Sequence, residues 1–151
     1  MSSTQRVKGL SLKVGPLGEN DRLLTILTED NGICRLAIPG ARKLKSRLGA
    51  TSPFNFLDLH IVGKKDLKRV TQIKIIKSYG NLGKHLETLS AAQAISELIM
   101  IMVGNDDPQK DLLRLVLIHL NRLDDLNKTE FKALQALAIS VQACIHLLAL
   151  G

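Results

Sequence analysis

Apolar and polar residues alternate from residue 6 to 14, with Leu10, Leu12 and Val14 on one face and Ser11 and Lys13 on the other. That period belongs to a half-buried strand. Val7 falls out of phase with this set and Gly9 stands between them, which predicts a bulge at Gly9. Gly15-Pro16-Leu17-Gly18 reads as a turn. A strand pair follows, Arg22 to Thr28 and Ile33 to Pro39, joined at Asp30-Asn31-Gly32. Asn-Gly between two apolar segments predicts a type I′ turn, because both residues tolerate positive φ. After a basic connection, Phe54 to Val62 alternates again: Leu57, Leu59 and Ile61 share one face, and Phe54, Phe56, Asp58 and His60 share the other. Beyond a turn at Gly63-Lys64-Lys65-Asp66, Val70 to Tyr79 is rich in β-branched residues and reads as a fifth strand. Five strands joined mostly by short turns predict a small closed or nearly closed barrel over residues 1–80.

Past Gly80 the period changes from two to about 3.6. Leu86, Leu89, Ala92, Ile95, Ile99 and Met102 mark one helix, ending near Gly104. Asp107 before Pro108 predicts an N-cap and first-turn proline for a second helix through Leu123, apolar on most sides. Asn127 with Glu130 resembles a capping box and predicts a third helix, its seam formed by Phe131, Leu134, Ala138, Val141, Ile145 and Leu148. The expected fold class is therefore α+β, a five-stranded barrel over 1–80 followed by a three-helix bundle over 81–151. Because the chain stops at Gly151 directly after Leu147-Leu148-Ala149-Leu150, a truncated helical domain is also expected.

Charge changes the picture by making the two halves unlike. Residues 1–80 hold 15 Lys/Arg against 6 Asp/Glu, whereas residues 81–151 hold 6 against 8. Such asymmetry is expected if only the first half meets an anionic partner, with nucleic acid ahead of an anionic membrane surface. The candidate contacts are Arg22, Arg35, Arg42, Lys43, Lys45, Arg47, Lys64, Lys65, Lys68 and Arg69. The four cations between Arg42 and Arg47 cannot be buried without a large desolvation cost, so they face water or a polyanion. Stacking platforms for bases are few: Phe54, Phe56 and Tyr79 are the aromatic residues of the basic half. Binding should accordingly be mostly electrostatic and weakly sequence-selective.

Catalytic chemistry finds little support. His60, His85, His119 and His146 read as isolated structural or surface residues, and no HExxH, GxSxG or phosphate-binding glycine loop occurs. Asp106-Asp107 and Asp124-Asp125 fit helix-end carboxylates better than metal ligands. Cys34 and Cys144, 110 positions apart, read as small buried apolar residues. With neither a signal-peptide core nor a long uninterrupted apolar span, a cytoplasmic location off the membrane is expected.

Gly18-Glu19-Asn20-Asp21-Arg22-Leu23-Leu24-Thr25, followed by Gly40-Ala41-Arg42-Lys43 and Lys45-Ser46-Arg47, resembles the RecO family of bacterial DNA repair proteins. Phe56-Leu57-Asp58-Leu59 and the stretch from Leu89-Ser90-Ala91-Ala92 to Glu97-Leu98 extend the likeness over nearly the whole chain. The resemblance implies an N-terminal OB-fold barrel followed by a helical domain, and no enzymatic turnover. It implies binding of single- and double-stranded DNA, annealing of complementary strands, and help in loading RecA onto DNA covered by single-stranded DNA-binding protein. The implied protein partners are RecR and the acidic C-terminal tail of that binding protein. No cofactor is expected in this chain; the four-cysteine zinc motif that many members carry would fall after residue 151. Two other classes compete with this reading: a scaffold whose basic barrel binds RNA while its helical half docks proteins, and a small hydrolase or nuclease, disfavoured by the lack of clustered carboxylates in the basic half.

Overall fold

Val7, Leu24, Ile26, Leu36, Ile38, Leu57, Leu59, Ile61 and Val70 form one buried apolar cluster. Because successive strand residues face opposite sides, burying these alternate positions on five strands curls the sheet around them. In the computed structural model, which describes residues 3–40, 50–63, 67–104, 108, 110–126 and 133–150, the strands are β1 (Ser3–Leu17), β2 (Asp21–Thr28), β3 (Gly32–Ile38), β4 (Asn55–Gly63) and β5 (Lys68–Ser78). They close in the order β1-β2-β3-β5-β4, returning to β1. A five-stranded barrel in this order is an OB-fold. The closing seam is the parallel contact of β3 with β5, Leu36 beside Lys68 and Ala37 beside Arg69.

Several local expectations change. The irregularity in β1 is not at Gly9; the register shifts between Ser11 and Lys13, so Leu12 is the extra residue, and Val7 and Val14 both reach the barrel core. Gly9 serves a close approach instead. At that point β1 is paired to β2 through Thr28 and to β4 through Leu57, and an added Cβ would lie 2.5 Å from the Leu27 carbonyl oxygen. Gly15 and Pro16 remain in the strand, opposite Leu23 and Arg22, and the turn falls after Leu17 with Gly18 at φ 62°. Proline fits there because the pairing of β1 with β4 reaches only to Leu10, leaving no second ladder for it to break.

Thr28 pairs with Gly32 across a three-residue loop, and of Asn31 and Gly32 only the glycine takes positive φ. The connection is therefore not a type I′ turn but one with a left-handed glycine at its exit. Thr28 closes it: its Oγ1 donates to the Gly32 carbonyl (2.9 Å) and accepts from the Asn31 amide (3.0 Å). The chain enters β4 through Phe54, which holds φ 65° and is buried. Buried Ser11 secures this entry, donating to the Ser52 carbonyl (2.6 Å) while its own carbonyl accepts from the Phe54 amide (2.8 Å).

Residues 79–104 and 109–151 form a second compact unit. A 3-10 helix, Gly80–Lys84, leads to α1 (Leu86–Met102), α2 (Lys110–Leu126) and α3 (Ala133–Leu150). Helix α2 starts beyond Pro108 rather than at it. It is amphipathic, burying Leu112, Leu113, Val116, Leu120 and Leu123 while Ile118 is exposed. Helix α3 packs against α1 and α2, but through Ile139, Ala143 and Leu147. The expected seam is reversed: Val141, Ile145 and Leu148 are exposed, together with Leu137. No charged residue occurs between 133 and 150, so the helix carries two apolar stripes, and period alone does not choose between them. Among the described residues no helix is long and apolar enough to cross a membrane. The expectations for Asp106, Asp107, Asn127, Glu130 and Phe131, and for the side chain of Leu134, lie outside the described residues.

Candidate nucleic-acid interface

Of the ten cations expected to meet a polyanion, Arg42, Lys43, Lys45, Arg47, Lys64 and Lys65 lie outside the described residues. The other four do not form one cluster. Arg35 and Arg69 are exposed, on β3 and β5. Arg22 is half-buried, with its Nε shielded and without a hydrogen-bond partner among the described residues. Lys68 is tied to β1, its Nζ donating to Gln5 Oε1 at 3.1 Å.

Strand register brings together a different set. On β4 the core-facing Leu57, Leu59 and Ile61 alternate with Phe56, Asp58 and His60, which face outward. Lys8 of β1 stands opposite Asp58, and Arg6 stands opposite His60. On the other side of β4, Lys77 pairs with Phe56, Lys74 with Asp58, Gln72 with His60, and Arg69 with Val62. Arg6, Lys8, Arg69, Lys74 and Lys77 are all exposed on this outer face. Two register shifts in the β4–β5 ladder, one between Phe56 and Leu57 and one between His60 and Ile61, keep Arg69, Lys74 and Lys77 on the same side.

Arg6, Lys8, Lys74 and Lys77 escape a reading based on charge runs because they are scattered over two strands far apart in sequence. Alternation could have found Arg6, Lys8 and Lys74, which flank the inward-facing Val7 and Ile73, whereas the facing of Lys77 is set by the register shift between Phe56 and Leu57. The aromatic expectations also sort. Phe54 is only 6% exposed and Tyr79 4%, too covered to stack on a base. Burial, and after it the Asp124 carboxylate, pushes the Tyr79 hydroxyl up to about 12. Phe56, half-buried on the outer face of β4, is the aromatic ring that remains.

Asp58 is nearly covered, with 7% of its side chain exposed against 62% for Arg6 above it. Arg6 Nε donates to both carboxylate oxygens, at 2.8 and 3.1 Å, and Nη2 donates to Oδ2. This bond holds the Asp58 carboxyl below its usual value, against the opposing effect of desolvation. The sign follows directly. A carboxylate with a depressed folded pKa adds stability above the unfolded value, near 3.8, and loses it as pH falls through the lower folded value. Asp58→Asn is therefore expected to lower the melting temperature at pH 7, and the gap to the parent should narrow as pH falls below the unfolded value near 3.8. A melting difference that stays constant from pH 7 to pH 2.5 would show that the ion pair is not what the substitution removes.

Nearby, a polar hollow is lined by Arg6, Lys8, Thr28, Glu29, Asp30 and Asn31. Its two carboxylates, at the tip of the β2–β3 hairpin, would repel a phosphate and so mark one border of the cationic face.

In the helical unit, two histidines read as isolated come together. His119 Nε2 and His146 Nδ1 are 3.2 Å apart, and Arg122 Nη1 lies 3.3 Å from His119 Nδ1 while donating to Gln142 Oε1 at 2.6 Å. Burial, with Arg122 and His146 adding to it, lowers the His119 pKa, so the ring stays neutral and ties α2 to α3. Asp124 is likewise structural: it is buried, and its Oδ1 accepts from the Asn81 amide at 3.1 Å. Cys34 and Cys144 are both half-buried, more open than expected. Among the described residues no group of three or more His, Cys, Asp or Glu could hold a metal ion.

Residues 1–79 match the family described as Recombination protein O N terminal. Over its whole length the chain is 51% identical to the DNA repair protein RecO of Prochlorococcus marinus (strain MIT 9303), covering 57% of that relative. It is 52% identical to the DNA repair protein RecO of Synechococcus sp. (strain WH7803), covering 56%, and 37% identical to that of Nostoc sp. (strain PCC 7120 / SAG 25.82 / UTEX 2576), covering 51%. The chain thus spans little more than half the length of these curated relatives. With the family match running through the whole barrel and the likeness continuing across all three helices, the chain belongs to the RecO family.

Proposed function

We propose that this chain is the DNA-engaging part of a recombination mediator acting in DNA repair, and that it is not an enzyme. What carries the reading is the family match over a closed barrel whose residues 1–80 hold 15 Lys/Arg against 6 Asp/Glu. Such a barrel binds by neutralising phosphates and releasing counterions, which needs no cofactor and no catalytic group. In the finer reading, the protein anneals complementary strands and helps load RecA onto single strands coated with their binding protein, working in the cytoplasm. Its partners are single- and double-stranded DNA, RecR and the acidic tail of the single-stranded DNA-binding protein.

The basic run from Arg42 to Arg47 supplies the test. Replacing Arg42, Lys43, Lys45 and Arg47 with Ala is expected to weaken binding of unrelated single strands about equally. It should also flatten the dependence of log affinity on log salt by roughly two to three units, at about 0.7 for each phosphate no longer neutralised. Titrating two mixed-sequence oligonucleotides at four salt concentrations measures both effects. Retention of slope and affinity would exclude these four residues as phosphate contacts.

A second reading, an RNA-binding scaffold whose helical half docks proteins, draws on the exposed apolar face of Leu137, Val141, Ile145 and Leu148. Competition between single-stranded DNA and structured RNA at equal salt separates the two.

A further inference from the structure

The outer face of β1, β4 and β5 is built as two cationic rails with a floor between them. Along β5 run Arg69, Lys74 and Lys77, along β1 run Arg6 and Lys8, and β4 between them presents Phe56, Asp58 and His60. We propose that this face is a track for single-stranded nucleic acid, with the rails neutralising phosphates and Phe56 stacking on a base. The proposal deepens the DNA-binding reading above and rests on it.

Three observations favour single strands over a duplex or an acidic peptide. Phe56 lies at the end of the cationic face, between Lys77 of β5 and the buried Leu10 of β1, and one outward position along β4 from Asp58. An aromatic ring lying low on a sheet reaches only bases that are not already paired and stacked in a duplex, whereas an acidic peptide has no use for it. Next, Asp58 fixes the Arg6 guanidinium through Nε and Nη2 while the Arg6 side chain stays 62% exposed. A cation held in place loses less conformational freedom on meeting a phosphate than a free one. Asp58 is thus a positioning residue for Arg6; being nearly covered, it repels an incoming phosphate less than an exposed carboxylate would. Finally, the cations of this face come from strand interiors, where β-ladders set their spacing. The Glu29 and Asp30 carboxylates at the hairpin tip direct the strand along β4 rather than over the hairpin.

The test uses the full chain and a fluorescent 15-nucleotide mixed-sequence single strand at four salt concentrations. Lys8→Ala/Lys74→Ala/Lys77→Ala removes three rail cations and is expected to flatten the salt slope by about 2. The corresponding triple Arg variant, with the charges kept, should retain the parent slope. Phe56→Leu should weaken single-strand binding on the order of tenfold without changing the slope, and leave duplex binding unchanged. Melting curves establish that each variant is folded; if the Ala triple variant is not, the Phe56 arm still decides. A parent protein that binds no oligonucleotide removes the DNA-binding reading and this one with it. A parent that binds, with the Ala triple variant matching it in slope and affinity, overturns the track alone and leaves the DNA-binding reading standing. Equal single-strand affinity for Phe56→Leu and parent overturns the stacking role, and poly-glutamate competing as well as the oligonucleotide overturns the choice of nucleic acid over acidic peptide.

Discussion

Gly9→Ala is expected to destabilise the barrel by about 2 to 3 kcal/mol, a large effect for a single methyl group. The added Cβ would lie 2.5 Å from the Leu27 carbonyl oxygen and 2.7 and 2.8 Å from Cγ1 and Cδ1 of Ile26. Flexible surface atoms could move aside. These cannot easily do so, since Leu27 is in the β1–β2 ladder and Ile26 is fully buried in the barrel core. Nor can β1 shift as a whole, because at Gly9 it is paired on both sides. Against the strain stands only the reduced freedom of the unfolded chain, which favours Ala by about 0.4 to 1 kcal/mol. Overpacking therefore wins. Urea denaturation of Gly9→Ala, Ile26→Ala and the double variant checks the cause: the double should cost less than the sum of the singles by about 1 kcal/mol, since trimming Ile26 removes part of the clash. A Gly9→Ala protein as stable as the parent, within about 0.5 kcal/mol, would show that the strands are not this close.

Gly9 also shows where reading the sequence reaches its limit. A glycine amid alternating residues marks either a bulge or a close approach, and the choice depends on which strands lie on either side, a long-range fact. The bulge sits at Leu12 instead, three positions along, with the same consequence of bringing Val7 and Val14 into one core. Alternation in β4 was legible because Leu57, Leu59 and Ile61 are uninterrupted and bury one face completely. The OB-fold itself was reached from the resemblance, which implied the strand order that periodicity alone left open. For the interface, charge runs pointed to residues 42–47 and 64–69, while the rails on β1 and β5 emerge only once register is known. Aromatic candidates sorted by burial, a property that the composition of a strand does not contain. Helix α3 failed for the opposite reason, too much signal: with no charge from 133 to 150, two stripes fit a helical period equally well.

That ambiguity sets up the last expected result, in which two identical substitutions six residues apart on α3 have opposite outcomes. Leu147→Asp is expected to unfold the helical unit, and Val141→Asp to leave it folded. Leu147 is fully buried where α3 packs on α1 and α2, and an unpaired carboxylate there costs several kcal/mol. Such a loss is comparable with the whole stability of a small domain. Val141 is 51% exposed, so its carboxylate stays in water and stability should change by less than about 0.5 kcal/mol. The same charge also interrupts the apolar stripe of Leu137, Val141, Ile145 and Leu148, so Val141→Asp should lower hydrophobic-dye binding and self-association relative to the parent. Far-ultraviolet circular dichroism with thermal melting reads the first contrast, and dye fluorescence with sedimentation reads the second. If Val141→Asp melts out the helices and Leu147→Asp does not, the buried and exposed stripes of α3 have been assigned the wrong way round, and the seam that periodicity first suggested is the real one.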